Sequence, residues 1–274
     1  MTRSLDIPCQ YLLAHLENRV TTLFDDILAT PQPWSQQRIA EWADVFPSQH
    51  GASLQDFVVL ERLRRDVRVD MRAVVGQSEH YAGQSWREAV LAPQYKPGKM
   101  RAVFAQYERH PDYYFNGELD NGILLSSIDG SNWYTNGGGN HRTVLAKFAC
   151  DRIARQTGRH PLVRGAWTCH YQADMLAWSL FCQLQQGHAE AIFLRVTRED
   201  MRQEAVPGGS DISWRLQFFV VDRRFGGTAR SGRLDAAQFC AYARHVLAHD
   251  GRPSWRDRVM HSLIGDSERL VYPS

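Results

Sequence analysis

The stretch "NWYTNGGGNHRTVLAKF", residues 132–148, joins three kinds of local pattern in seventeen positions. "NWYTN" reads as a short strand, Gly137, Gly138 and Gly139 form a run that breaks it, and an apolar pattern of helical period begins after Asn140. The first backbone N–H groups of a helix have no partner within it, and the aligned peptide dipoles leave partial positive charge there. Glycines ahead of such a terminus can take positive φ and bring bare backbone up to a ligand. A strand, a glycine loop and a helix N-terminus in succession are the ingredients of an anion cradle.

Two residues sharpen this expectation. Arg142 sits in the positively charged first turn, where a cation is unfavourable unless an anion meets it, and His141 beside it can donate a hydrogen bond or carry a proton. The loop therefore supplies Gly137, Gly138, Gly139, Asn140, His141, Arg142 and Thr143 as candidate phosphate-binding residues. The plainer alternative is a glycine turn with a surface arginine.

Outward from this stretch, the chain divides into a helical beginning and a mixed remainder. Tyr11, Leu12, Leu16, Val20, Leu23, Phe24, Ile27 and Leu28 recur at helical spacing, and "TPQPW" (30–34) ends that helix. "SQQRIAEWADVF" after Ser35 and "SLQDFVVLERLRRDV" after a Ser53–Asp56 capping pair are two further expected helices, with "ERLRRDVR" (61–68) as a polar face. "VRVDMRAVV" (67–75) alternates like a strand, a short helix is expected from about Lys99, and "GILLSSI" (122–128) pairs with "NWYTN" across a "DGS" turn. A helix is expected over 140–157. "DMLAWSLFCQLQQ" and "LDAAQFCAYARHVLAHDG" come later as helices, "ISWRLQFFVVDRR" as a strand, and "SWRDRVMHSLIG" as a last helical piece. "QEAVPGGSD" reads as the clearest flexible loop.

Composition sets the class. With 43% hydrophobic residues and eight Trp among 274 positions, the chain has enough apolar mass for a sizeable core. A net charge of +2 creates no global field for a polyanion, so any nucleic-acid contact must come from a local patch. Lys96, Lys99 and Lys147 are the only lysines among 32 basic residues. Coding bias explains such a preference for Arg as readily as selection for bidentate anion recognition. Five cysteines without C-x-x-C spacing read as reduced thiols, and no stretch is apolar enough to span a membrane. A soluble, cytoplasmic bacterial protein is expected.

An aromatic residue followed, after three positions, by Gly-Gly-x-His-Arg between strand and helix, here "YTNGGGNHRTVLAKF" (134–148), resembles the nucleotide-binding loop of the ParB/sulfiredoxin superfamily. The resemblance is specific over about fifteen residues and extends plausibly over 67–157. It implies an α+β fold: a ParB/sulfiredoxin-like mixed-sheet core over 67–160, a helical N-terminal region over 1–66, and a C-terminal α/β extension over 161–274 packed on the core. It also implies ATP or CTP as ligand, with Mg2+ for any hydrolysis. Asn140 stands where sulfiredoxins keep their nucleophilic Cys, and Cys150 lies too far into the helix to replace it, so reductase chemistry is not expected. No counterpart of the ParB "E-N-x-x-R" motif comes after the loop, and no helix-turn-helix comes after Gly158. The character is closer to the plasmid fertility-inhibition and oncogenic-suppression effectors, a group to which ATPase and DNase activity are ascribed.

Hydrolysis beside an anion site needs a base or a metal. The nearest carboxylates in sequence are Glu118, Asp120 and Asp129, and with His141 they are the catalytic candidates, although each carboxylate is also ordinary turn chemistry. Neither a metal-ligand motif nor a nucleophile motif is present, so the metal ligands are undetermined. Ser126 and Ser127 stand at a strand end. Arg223, Arg224, Arg230 and Arg233 surround "FGGTARSG" and suggest a basic hairpin tip that could track DNA, against the plainer reading of a solvated loop. Two functions stay open: an ATPase or metal-assisted DNase acting on mobile-element DNA or conjugative transfer, and a non-enzymatic nucleotide-gated adaptor that docks DNA or a conjugation or secretion protein.

Overall fold

A computed structural model of the chain describes residues 22–78, 80–91, 97–116, 121–224, 229–249 and 251–252. The architecture is α+β, with helices on mixed β-structure. The described residues form two compact units drawn from interleaved segments. The first holds residues up to Val45 with Arg62–His170 and Ala205–Ser210; the second holds Phe46–Glu61, Tyr171–Glu204 and residues from Asp211 onward. The sequence leads one to expect three consecutive regions instead, because periodicity shows which residues form an element but not which elements pack together.

The first unit is built on a sheet ordered β1-β5-β7-β6-β8-β4. These strands are β1 (Ala40–Glu41), β4 (Val58–Val69), β5 (Val74–Gln77), β6 (Leu124–Ser127), β7 (Trp133–Thr135) and β8 (Val163–Ala173). β2 (Ser48–Gln49) and β3 (Ala52–Ser53) pair with each other in a separate two-stranded ribbon. β1, β5 and β7 run parallel, β6 is antiparallel to β7, and β8 is parallel to β6. Helices α1 (Leu23–Ala29), α2 (Trp86–Leu91) and α3 (Pro97–Arg109) surround α4 (Asn140–Thr157). Every residue from Thr143 to Cys150 is buried, so α4 is the core helix of this unit rather than an amphipathic surface one. Leu145 and Phe148 each contribute about 1.5–3 kcal/mol by leaving water.

Two cations of α4, Lys147 and Arg152, are buried, and the first lies against two tryptophans. Lys147 is 8% exposed, and its Nζ donates to the carbonyls of Met71 and Val74, both at 2.6 Å, tying α4 to the single 3-10 turn Met71–Ala73 that leads into β5. Trp86 and Trp34 turn their ring faces to the ammonium at 4.5 and 5.5 Å.

The second unit contains an antiparallel meander of β9 (Ile192–Val206), β10 (Gly209–Asp222) and β11 (Arg230–Asp235) as far as those strands fall within it, with α5 (Met175–His188) and α6 (Ala236–Ala248). Its core centres on Phe57, whose ring meets those of Trp178, Phe181 and Phe218, while Phe218 stacks on Phe239 at 3.8 Å. Leu216, Phe218, Val220 and Asp222 occupy the buried positions of β10 at alternate residues, as the two-residue strand period requires. That period carries Asp222 inside, where it accepts from Arg224 (2.6 Å) and from Tyr242 Oη (2.9 Å).

Four expectations about elements differ from the structure. "VRVDMRAVV" is not one strand: β4 ends at Val69, a 3-10 turn capped by Asp70 spans Met71–Ala73, and β5 begins at Val74. The Ser53–Asp56 capping box forms, but it opens a single 3-10 turn (Leu54–Phe57) and the chain then enters β4; "VVLERLRRDVRV" is therefore a strand, not a helix. Its Val-rich ends and its ladder partners outweigh the helix propensity of Leu, Glu and Arg, as with Arg65, whose N–H donates to Gly208. "SQQRIAEWADVF" forms two 3-10 turns flanking β1 rather than a helix. "QEAVPGGSD" is the ordered end of the β9–β10 hairpin, with Gly208 at φ 72° in its turn and the backbone of Gly209 against Leu63. The expected helical segments before residue 22 and after residue 252 lie outside the described residues.

The buried charges of Lys147 and Asp222 should leave a signature in stability. Burial pulls the pKa of Lys147 from 10.5 to about 8, against a smaller favourable field from Asp70. Between those values the folded chain binds fewer protons than the unfolded chain, so this group's contribution to stability rises with pH from about 8 to about 10.5. The difference in urea-unfolding free energy between wild type and Lys147→Met should change across that range by an amount on the order of 3 kcal/mol in favour of wild type. Asp222→Ala strands a buried guanidinium and a phenol, and should cost about 3–5 kcal/mol by urea denaturation, most of it recovered by pairing the change with Arg224→Met.

Candidate functional site

β5 and β7 end side by side, with Gln77 opposite Thr135 and the Ser78 N–H donating to the Thr135 carbonyl at 2.8 Å. Residues 136–139 leave β7 at this point and turn into α4. Its N-cap is Gly139 in the left-handed conformation, φ 81°, ψ 11°, and no side chain caps the helix. A Cβ on Gly139 would stand 2.6 Å from the Gly122 carbonyl oxygen and 2.8 Å from the Ile123 Cα. Both the sign of φ and the close approach therefore demand glycine here. The segment it presses against is fixed in turn by buried Asn121, which donates from Nδ2 to the Arg164 carbonyl and accepts from the Ile123 N–H at 3.0 Å.

The loop residues divide into those facing the helix end and those turned away. Asn140 donates to the Ser78 carbonyl at 3.4 Å, and Gln77 donates to the Asn140 carbonyl at 3.1 Å. The ring of His141 meets Tyr81 edge-on at 5.4 Å and His80 at 6.0 Å. Burial raises the pKa of Tyr81, so its phenol stays protonated as a donor. Arg142 folds back: its guanidinium donates to the Asn121 carbonyl at 3.0 Å, in space that exists only because residue 122 is glycine. A carbonyl of the chain thus meets the charge that the sequence pattern assigns to a bound phosphate. Thr143 is fully buried in the core, and its hydroxyl, the Thr135 hydroxyl and the side-chain oxygens of Gln77 and Asn140 have no hydrogen-bond partner. Gly137, also at positive φ (87°), would bring a Cβ to 3.3 Å from Leu124 Cδ2, whereas Gly138 has ordinary space around it.

Asp129 lies at the other end of the β6–β7 hairpin from this loop, because β7 runs from the 128–132 turn toward Asn136. Its carboxylate accepts from the backbone N–H groups of Ser131 (2.8 Å) and Asn132 (2.7 Å), from the Asn132 amide (2.7 Å) and from the Ser127 hydroxyl (3.1 Å). Burial opposes its ionisation, but these four donors outweigh it and hold the carboxyl well below the usual carboxylate range. Asp129 organises its turn and stands apart from the helix N-terminus. Glu118 and Asp120 lie outside the described residues. Among the described residues no three His, Cys, Asp or Glu side chains converge to hold a metal ion.

The arginines of the expected basic tip are also differently placed. Arg224 is 3% exposed and locked on Asp222, and Arg230 is buried. Arg223 is exposed, while Arg233 reaches toward Glu199. The strand period that turns Asp222 inward draws Arg224 in with it, so a pattern of charge alone overstates the solvent-facing tip. Tyr113, Tyr114 and Phe115 pack in the core. Gln77, Tyr81, Asn121 and Lys147 carry no signal in the sequence pattern strong enough to place them here. Asn121–Gly122 is the one pair among them with a local mark, an Asn-Gly turn.

Gly139→Ala should lower stability by about 1–3 kcal/mol from backbone strain alone, with the clash on Gly122 added, measured by thermal unfolding. Thr143→Val should leave stability unchanged or raise it by up to about 1 kcal/mol, because it removes a buried hydroxyl without a partner. Comparisons with protein-family models, with curated proteins and with solved structures return no match for this chain.

Proposed function

We propose that this chain binds the phosphate of a nucleotide, ATP or CTP, at the N-terminus of α4, in the manner its loop resemblance to the ParB/sulfiredoxin superfamily implies. The observation that carries the reading is the helix end itself. An 18-residue helix begins without a side-chain cap at a left-handed glycine, beside the C-terminal ends of two parallel strands. The first-turn N–H groups and the dipole favour an anion there, and ligands of sheets with parallel strands gather at the strands' carboxyl ends. Asn140 and His141 flank the opening, and the Tyr81 phenol adds a donor nearby. Arg142 serves as a support beneath the loop through Asn121 and Gly122, not as the main phosphate ligand.

Within this reading, a nucleotide-gated adaptor that binds DNA or a conjugation or secretion protein is favoured over an ATPase or metal-assisted DNase. The reason is the position of Asp129, at the far end of the hairpin with its lone pairs taken up by the turn. Mg2+ would then enter with the nucleotide phosphates rather than on this carboxylate.

Isothermal titration with ATP, CTP and inorganic phosphate, with and without Mg2+, tests the proposal. Asn140→Asp places a carboxylate in the first turn, where it suits the dipole of the free protein but repels a phosphate. Saturable binding by wild type, weakened tenfold or more in Asn140→Asp with the fold retained by circular dichroism, is the expected result. Equal affinity in the variant, or no binding at millimolar nucleotide, would overturn it. Turnover with Mg2+ that survives Asp129→Asn would restore the enzyme reading without that carboxylate.

A further inference from the structure

A cavity of about 380 Å³ opens in the first unit on the side of α4 away from its first turn. Lys147 lines it together with the indoles of Trp34 and Trp86 and the aliphatic side chains of Met71, Val74 and Val75. Its size lies within the range of small-molecule sites, and such sites are typically apolar walls around a few placed polar groups.

The walls are fixed before any ligand arrives. Trp86 is 2% exposed. Trp34 packs on Phe148 at 4.8 Å and donates from Nε1 to Asp151 at 3.0 Å. Asp151, the one carboxylate of the lining, pairs with Arg155 at 2.8 Å, a guanidinium it shares with Asp26, and accepts from the Trp34 indole. Arg72 is tied to Asp70, and burial lowers the pKa of His160, which keeps that ring neutral. Cys150 is fully buried, and burial pushes its thiol up, so it carries no charge.

Lys147 differs from all of these. Its partners are two neutral carbonyls and two ring faces, and no carboxylate of the described residues pairs with it. Buried charges are ordinarily paired, because an uncompensated ion in an apolar site is costly. An ammonium has three donors, and the carbonyls of Met71 and Val74 take two. This is also one of three lysines in a chain that otherwise uses Arg, and its compact ammonium lies against the faces of two indoles.

We infer that the cavity binds a small aromatic or apolar monocarboxylate, with Lys147 as its counter-ion and the indoles of Trp34 and Trp86 as its walls. Arg38, the other cation of the lining without a carboxylate partner, is exposed and donates to the Gly83 carbonyl, so Lys147 is the buried positive charge among these apolar surfaces. Such a charge matches a monoanion with a planar hydrophobic body better than a phosphate, which needs more donors. The site is separate from the phosphate loop and does not rest on it.

Calorimetric titration with 1-naphthoate and its neutral counterpart 1-naphthamide tests the inference on the full chain. Wild type should bind 1-naphthoate saturably at one site, about tenfold or more tighter than 1-naphthamide. Lys147→Met should lose that preference while 1-naphthamide binding changes less than about twofold. Val75→Phe fills the cavity from β5 without touching the lysine and should abolish binding of both, so the inference remains testable where Lys147→Met does not fold. Asn140→Asp should leave 1-naphthoate binding unchanged. Equal affinities of acid and amide for wild type, no saturable binding of either at millimolar concentration, or undiminished binding by Val75→Phe would overturn it.

Discussion

Helix α4 enters the core of the first unit through a contact that has no side chain on either face. Gly139 lies against Gly122 so closely that a methyl group on Gly139 would overlap a carbonyl oxygen. The left-handed turn at Gly139 redirects the chain from β7 into the helix, and the approach brings the first turn down beside the ends of β5 and β7. Asn121 holds the opposing segment in place, and Arg142 braces it from the helix side. Displacing this contact would displace the helix that carries Lys147 and most of the buried apolar residues around it.

The same helix serves two chemistries because it presents different atoms along its length. At its first turn it offers backbone N–H groups and a dipole, which suit an anion approached from outside the helix. Two turns later the backbone is internally bonded, and only a side chain can act; there Lys147 supplies a full charge in an apolar setting. The first feature is strong only where water is excluded from the helix end, whereas the second is already desolvated.

Several elements were legible from local pattern. The helix over 140–157 begins and ends as expected because both ends are written in glycine: Gly139 at its start and Gly158, also left-handed, at its close. The β6–β7 hairpin was legible in its turn residues. The β4 segment was not legible, since "LERLRR" suits a helix by propensity and a strand only through its neighbours in the sheet. The Ser53–Asp56 box shows the limit of such signals, for it marks where the backbone turns but not whether a helix or a strand comes next.

The sequence by itself determined where the backbone must bend and where a helix can start, because these depend on φ preferences and caps within a few residues. Only the tertiary structure decided which way the charged groups face. Arg142 turns to Asn121, Arg224 to Asp222, Asp129 into its own turn, and Lys147 between two tryptophans far away in the chain. A charge goes where its desolvation is best compensated, and the compensating partner is supplied by another part of the fold.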